Sequence, residues 1–293
     1  MRVFVTGASG WIGSAVVSEL IGAGHEVLGL ARSGASAAAV TAAGAEVLRG
    51  DLADPDVLRA GAAGSDAVIY LAFTHDFTRL DASILAEGRA IDWLGAALEG
   101  SGKPLVVASG TPALPGRVAT ERDEPAPGGP VAGRAANARA ALATAARGVR
   151  SSVVRLPRSV HGAGDRHGFI ARLSAVARDK GLSGYPGDGS QRWPAVHVRD
   201  AAHLFRLAAE HAPAGSVLHA VGDEGIAVRD IAEAIGRQFG VQARPAPAGD
   251  FGFLGQILAI DQPASSALTS ELLGWQPVQP GLIDDIDKGH YLA

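Results

Sequence analysis

Residues 3–13, with the sequence VFVTGASGWIG, decide the fold of this chain. Three β-favouring residues come first, glycines follow at positions 7, 10 and 13, and an apolar periodic run continues to Leu20. This order predicts a strand, a tight glycine-rich turn and a helix. Backbone N–H groups in such a turn, together with the positive end of the helix dipole, can hold a pyrophosphate. The stretch therefore predicts a dinucleotide site, although glycines also serve ordinary turns.

The composition is typical of a globular protein. Apolar residues make up 47% and charged residues 19% of 293 residues, which is enough chain for one large domain or two interleaved lobes. The formal charge of −4 gives no reason to expect a nucleic acid or a membrane as partner. The absence of cysteine excludes disulfides and thiolate metal sites, and no metal is expected. Without an apolar targeting or membrane-spanning segment, a cytoplasmic protein is expected.

Strand and helix patterns alternate through the first half of the chain. We expect strands at 25–31, 46–50, 66–72, 104–108 and 151–156, with helices at 35–44, up to about 63, 82–98 and 134–147. This alternation predicts an α/β fold with a doubly wound parallel sheet (Rossmann). Glycine-rich turns and further helices follow Pro157. We therefore predict a dinucleotide-binding core over 1–157 with a return near 196–221, and a smaller, interleaved C-terminal substrate lobe over 158–195 and 222–293.

The end of the second strand indicates which dinucleotide is bound. NAD-binding folds usually place an acid here to hold the ribose 2′-hydroxyl, but this chain has Ala31, Arg32 and Ser33. A guanidinium suits a 2′-phosphate, so NADP(H) is preferred over NAD(H), with a surface arginine as the alternative. Asp51, after the third strand, either caps a turn or accepts from an adenine amine, or does both.

Polar residues follow two other strands at the edge of the sheet where ligands bind. His75 and Asp76 lie in the loop after the fourth strand, either for chemistry or as solvated turn residues. Ser109 and Thr111 end the fifth strand, where their hydroxyls can bond a substrate carbonyl or simply cap a turn. We take these two hydroxyls as the catalytic candidates.

Several landmarks together resemble the extended short-chain dehydrogenase/reductases. The match covers nearly the whole chain: Thr6–Gly13 fits the TGxxGxxG motif, and 50–52, 68–72, 155–157 with 161–162, and 194–200 resemble later landmarks. The motifs and the resemblance together imply a set of cofactor-binding residues. They are Thr6, Gly7, Ser9, Gly10, Trp11, Ile12, Gly13, Arg32, Ser33, Asp51, Leu52, Leu71, Ala72, Phe73, Ser109, Leu156, Pro157 and His161.

The chain departs from that family in its acid–base pair. Members use Tyr-x-x-x-Lys on the helix after the fifth strand, whereas this chain has tyrosines only at 70, 185 and 291, none followed by lysine four residues later. The expected helix has Arg134 near the tyrosine's place and Ala138 near the lysine's, and arginine cannot donate a proton of matched pKa. The chain is thus similar to atypical members, most of all a subgroup with an NADPH-dependent ketoreductase acting on aromatic, angucyclinone-type polyketides.

The resemblance implies reduction of a small aromatic ketone by a monomer or a homodimer. Without a catalytic tyrosine, the proton is expected from the substrate or solvent, although His161 or His197 is an alternative source. A pocket lined by Phe73, Phe77, Trp193, Phe251 and Phe253 would suit a flat polycycle, unless these rings are core. The alternatives are a non-catalytic NADP-binding sensor or scaffold and, less favoured because it also needs the tyrosine, a nucleotide-sugar epimerase or dehydratase.

Overall fold

A computed structural model describes residues 1–73, 79–114, 116–126, 128 and 132–292. Its strands are β1 Arg2–Thr6, β2 Glu26–Ala31, β3 Glu46–Arg49, β4 Ala67–Tyr70, β5 Pro104–Gly110, β6 Arg150–Leu156, β7 Ser159–His161, β8 Ser183–Tyr185, β9 Arg192–His197, β10 Ser216–His219, β11 Asp223–Ala227 and β12 Ala243–Pro245. Its helices are α1 Trp11–Gly22, α2 Gly34–Ala42, α3 Pro55–Ala63, α4 Leu80–Ala97, α5 Ala132–Ala143, α6 Phe169–Lys180, α7 Val198–His211, α8 Val228–Phe239, α9 Phe253–Leu258, α10 Ala267–Leu273 and α11 Leu282–Asp287.

Seven strands form one parallel sheet in the order β10-β6-β5-β4-β1-β2-β3. The strand order reverses beside β1, which is the topological switch point where doubly wound sheets bind ligands. The predicted α/β class is therefore confirmed. β10 joins this sheet after the chain has left it, within the return expected near 196–221; the division into two lobes stays a prediction.

Alternation along the strands builds a core on each face of the sheet. In β1, Val3 and Val5 point to the face covered by α1 and α7, while Phe4 points to the face covered by α3, α4 and α5. All three side chains are fully buried. Apolar burial on both faces explains the near-continuous apolar strands, and it leaves the carboxyl edge of the sheet as the place for polar chemistry.

Two small sheets belong to the second half of the chain. β7 pairs in parallel with β9, which pairs antiparallel with β11, and β8 pairs with β12. The segment 192–197, which leads into the return expected near 196–221, is therefore a strand of a separate sheet. Trp193 is fully buried in a third core formed with α6, α8, α9 and α11.

The boundaries of several predicted elements differ from those expected, among them those of one helix and two strands. The helix expected at 134–147 is α5 followed by a 3₁₀ turn, Thr144–Arg147, which ends at Gly148 with φ 74°. The strand expected at 104–108 continues through Ser109 to Gly110 because β6 extends equally far and pairs with it. The strand expected at 66–72 is shorter, Ala67–Tyr70. No helix within the described ranges is long and apolar enough to cross a membrane.

Candidate active site

The glycine-rich turn has the geometry that a pyrophosphate needs. Gly7 has φ 71°, and its carbonyl accepts from the Gly10 amide at 2.9 Å. A Cβ on Gly13 would lie 1.9 Å from the Gly7 oxygen, so only glycine allows α1 to start this close to β1. Gly10 is the N-cap residue of α1, and no side chain caps this N-terminus. The leading amides of a twelve-residue helix are thus open to an anion.

The residues next to the turn hold it in place. The buried Thr6 hydroxyl accepts from the amides of Leu71 and Ala72 at 3.2 and 3.3 Å, and so ties the end of β1 to the end of β4. The indole Nε1 of Trp11 donates to the Val160 carbonyl at 2.9 Å. Of the two remaining predicted residues, Ser9 is exposed beside the turn and Ile12 packs partly on the core.

Two guanidinium groups lie at the end of β2, where the ribose of a bound dinucleotide is expected. The Arg32 side chain is 81% exposed and lies 3.7 Å from the Asp51 carboxylate. Arg49 donates to the carbonyls of Ser33 at 2.6 Å and Arg32 at 3.2 Å. Sequence reasoning missed Arg49, which β3 brings here through its parallel pairing with β2. This corner therefore carries two exposed guanidinium groups next to one carboxylate.

Other predicted residues in this corner have structural partners. The Ser33 hydroxyl caps α2 by accepting from the Ser36 amide at 3.1 Å. Asp51 accepts from the Ala53 amide at 2.9 Å, which is the turn-capping role considered for it. Leu52 is partly buried against the core.

The ends of β5 and β6 form the reaction edge. Ser109 is 7% exposed and pairs in register with Arg155. The Thr111 amide donates to the Leu156 carbonyl at 2.9 Å, while its own carbonyl and hydroxyl accept from Gln262 Nε2 at 2.5 and 3.3 Å. Thr111 is therefore tied to the second half of the chain by a glutamine that the sequence analysis did not single out.

Arg134 occupies the space between the ends of β4 and β5. Its Nε and one terminal nitrogen donate to Glu87 at 3.1 and 2.9 Å, and the same terminal nitrogen approaches the Ala108 carbonyl at 3.4 Å. The guanidinium carbon stacks 4.1 Å from the centre of the Phe73 ring. Glu87 is only 3% exposed and also accepts from Asn137 at 2.9 Å. A buried ion pair thus places a permanent cation at the carboxyl edge of the sheet.

The two histidines considered as proton donors are held by a buried carboxylate. His161 Nδ1 lies 2.7 Å from Asp285 on α11, and both side chains are fully buried. His197 Nε2 lies 3.8 Å from the same carboxylate, and its Nδ1 accepts from the Arg199 amide at 3.1 Å. Burial lowers the pKa of His197, so its neutral ring carries the proton on Nε2. Both imidazoles therefore lie where β7, β9 and α11 meet, and their role as proton donors stays a hypothesis.

The three tyrosines and the expected aromatic lining are mostly internal. Tyr70, Tyr185 and Tyr291 are 1%, 9% and 4% exposed, and burial raises the pKa of Tyr70 and of Tyr291 above the usual value. Of the five rings expected to line one pocket, the four that the structure describes do not lie together. Trp193 and Phe251 lie in the core of the second half and Phe253 is 42% exposed at the surface, whereas Phe73 lies at the sheet edge under Arg134.

Some predicted residues have simple outcomes. Leu71 and Ala72 lie partly buried at the end of β4, and Leu156 and Pro157 lie partly buried and buried at the end of β6. The loop with Thr74, His75, Asp76 and Phe77 lies outside the described residues, so the hypotheses on His75, Asp76 and Phe77 stay hypotheses. Among the described residues, no group of three or more acidic or histidine side chains is placed to hold a metal.

This fold is a parallel sheet with a glycine-rich turn at its switch point, followed by a helix whose N-terminus has no side-chain cap. Such a fold is typical of nucleotide-dependent enzymes. The chain belongs to the NAD dependent epimerase/dehydratase family, whose model matches residues 3–220. The residues present fit the dinucleotide that this family implies, since the turn excludes any side chain at Gly13 and leaves the α1 amides free.

Comparison with known proteins extends over the whole chain. An uncharacterised protein of Schizosaccharomyces pombe is 43% identical over 99% of this chain and 100% of its own length. A 4-hydroxy-2-methyl-3-oxo-4-farnesyl-3,4-dihydroquinoline-1-oxide ketoreductase of Stigmatella aurantiaca is 31% identical over 74% of this chain and 67% of its own. Among solved structures, MoeE5 in complex with UDP-glucose and NAD is similar with TM-score 0.80 and 25% identity, covering 99% and 97% of the two chains.

Proposed function

We propose that this protein is an NADPH-dependent ketoreductase that reduces an aromatic, polyketide-like ketone without a tyrosyl acid. The observation that carries the proposal is the burial of all three tyrosines in a chain whose dinucleotide turn is intact. The ketoreductase relative from Stigmatella aurantiaca supports the reaction class. Ser109, Thr111 and Arg134 are the polar groups that the described chain brings to the reaction edge.

The chain's residues position the reactants rather than exchange protons. The turn at 7–13 would hold the pyrophosphate, and Arg32 and Arg49 would hold a 2′-phosphate; when bound, the reduced cofactor supplies a hydride to the carbonyl carbon. Ser109 would donate a hydrogen bond to the carbonyl oxygen, but a hydroxyl is too weak an acid to protonate it unaided. A phenol next to the ketone supplies that proton instead, and the resulting phenolate recovers a proton from water.

The first prediction concerns this substrate-derived proton. Methylation of the phenol next to the ketone removes the acid and is expected to lower kcat at least 100-fold, which is the range that general acid catalysis contributes. Reduction of the phenol and of its methyl ether is followed by NADPH absorbance, with an ether at a remote phenol as the matched control. Equal turnover of all three compounds would disprove the substrate-assisted step and leave the reductase proposal standing.

A second prediction concerns the choice of cofactor. Arg32→Ala removes the exposed guanidinium at the end of β2 and is expected to weaken NADPH binding about 10- to 100-fold, the value of one or two charge-assisted hydrogen bonds, while NADH binding stays constant. Titration calorimetry measures both affinities. Arg59→Ala is the control, since this exposed arginine pairs with Asp56 on α3. Equal losses for the two cofactors would contradict the 2′-phosphate role.

Two other functions remain as outcomes of the same experiments. Conversion of UDP-glucose by the protein would favour the epimerase class, for which the UDP-glucose and NAD complex of MoeE5 is the relevant observation. Binding of NADPH without its oxidation by any ketone in a broad phenolic panel would favour a sensor or scaffold.

A further inference from the structure

Among the described residues, Arg158 has no charged partner. It follows β6 directly after Pro157, is partly buried, and lies within 4 Å of no carboxylate in the described part of the chain. Its terminal nitrogen donates to Gln262 Oε1. Gln262 in turn donates to Thr111 at the end of β5. Arg158 is therefore joined through one glutamine to the reaction edge.

Two hydrogen-bond donors in this region lack an acceptor. The Nε of Arg158 is buried and has no partner among the described residues, and the same holds for the indole Nε1 of Trp193. The two groups are neighbours, since the guanidinium carbon lies 5.8 Å from the Trp193 ring centre. Buried donors are normally hydrogen-bonded in folded proteins, so these two call for an acceptor outside the described chain.

The charge of Arg158 is costly where it lies. Burial alone lowers the pKa of Arg158 to about 10, since no carboxylate offsets the loss of water. Two other guanidinium groups in the described part of the chain have a counter-ion: Arg134 has Glu87, and Arg155 lies 3.7 Å from Glu124. A cation without a counter-ion, next to N–H groups without an acceptor, is typical of a binding site in which the ligand provides the anion.

We propose that Arg158 and Gln262 form a subsite for a carboxylate group of the substrate, next to the ketone held at Ser109 and Thr111. A guanidinium fork matches the planar oxygen pair of a carboxylate. The inference rests on the proposed function and deepens it, because it names the substrate class as a keto acid.

The decisive experiment measures stability, which needs no turnover. Arg158→Met keeps the apolar stem of the side chain but removes the unpaired charge, and it is expected to raise the unfolding midpoint by about 2–4 °C without ligand. Sodium benzoate, compared with sodium chloride at matched ionic strength, is expected to raise the midpoint of the wild type and not that of Arg158→Met. Arg172→Met, which removes a cation stacked 5.5 Å from Phe253 at the surface, is expected to retain the wild-type benzoate response.

Three results would overturn this assignment. A lower midpoint for Arg158→Met with no benzoate effect on the wild type means a structural arginine whose donors are met by water. Equal benzoate effects on wild type and Arg158→Met mean non-specific binding. Stabilisation by inorganic phosphate but not by benzoate means a phosphorylated substrate instead of a keto acid.

A kinetic comparison separates this inference from the proposed function. With 4-(2-hydroxyphenyl)-4-oxobutanoate and its methyl ester, the acid is expected to have a KM at least 10-fold lower, and Arg158→Met is expected to abolish that difference. If the wild type reduces neither compound nor any other ketone, the reductase proposal fails, and the thermal comparison still decides on the anion site.

Discussion

Gly13→Ala is expected to abolish dinucleotide binding. The added Cβ would lie 1.9 Å from the Gly7 carbonyl oxygen and 2.8 Å from its carbon, and these are backbone atoms that cannot rotate away. The turn must open, so we expect at least a 100-fold weaker affinity for NADPH. Overpacking of this kind should also lower the free energy of unfolding by about 3 kcal/mol. Titration calorimetry and urea unfolding measure the two effects.

The matched control for this variant lies on the same helix. Gly22 ends α1, and a Cβ there would meet no atom within 4 Å. Gly22→Ala should therefore leave NADPH affinity unchanged and change stability by at most about 1 kcal/mol in the favourable direction. Wild-type affinity in Gly13→Ala would show that the dinucleotide does not use this turn.

Arg134→Met is expected to be the most destabilising substitution at the reaction edge. It leaves the Glu87 carboxylate, 3% exposed, without its bidentate partner, and such losses cost about 3–5 kcal/mol. The double variant Arg134→Met/Glu87→Gln removes both charges, and Asn137 still serves the remaining side chain. We expect the double variant to recover at least half of the loss in urea unfolding.

Arg139→Met is the control for the ion pair. Arg139 lies on the same helix, but its carboxylate partner Glu124 is 61% exposed and 3.9 Å away, so a cost below about 1 kcal/mol is expected. If the effects of Arg134→Met and Glu87→Gln on the free energy of unfolding are additive in the double variant, Arg134 and Glu87 contribute independently. That result would contradict the coupling inferred from their distances.

The sequence predicts those parts of the site that depend on neighbouring residues. Glycines 7, 10 and 13 are close in the chain and their spacing carries a local turn, so the nucleotide end of the sheet follows from pattern alone. The alternation of apolar strands with helices likewise predicts the parallel sheet, because each strand and the helix that follows it bury their apolar faces against each other.

Contacts between residues that are far apart in the chain leave no such pattern in the sequence. Glu87 is one acid in an ordinary helix pattern, and nothing in its spacing links it to Arg134, 47 residues away. The same holds for Gln262 and Thr111, which are 151 residues apart. For Trp193 and Phe251, residue type alone does not distinguish a pocket wall from the core, and tertiary packing places both rings in the core of the second half.

The buried carboxylate of Asp285 has a consequence for how the molecule forms. It meets His161 across 124 residues, and Tyr291 accepts from the Gly162 amide across 129. Bringing together residues that are so far apart in the chain costs conformational entropy before the contacts between them form. This cost slows folding. The glycine turn forms from residues that are close in the chain. We therefore expect the docking of α11 against β7 to be the late step in folding. Refolding should show a slow phase, which Asp285→Asn alters and Gly22→Ala does not.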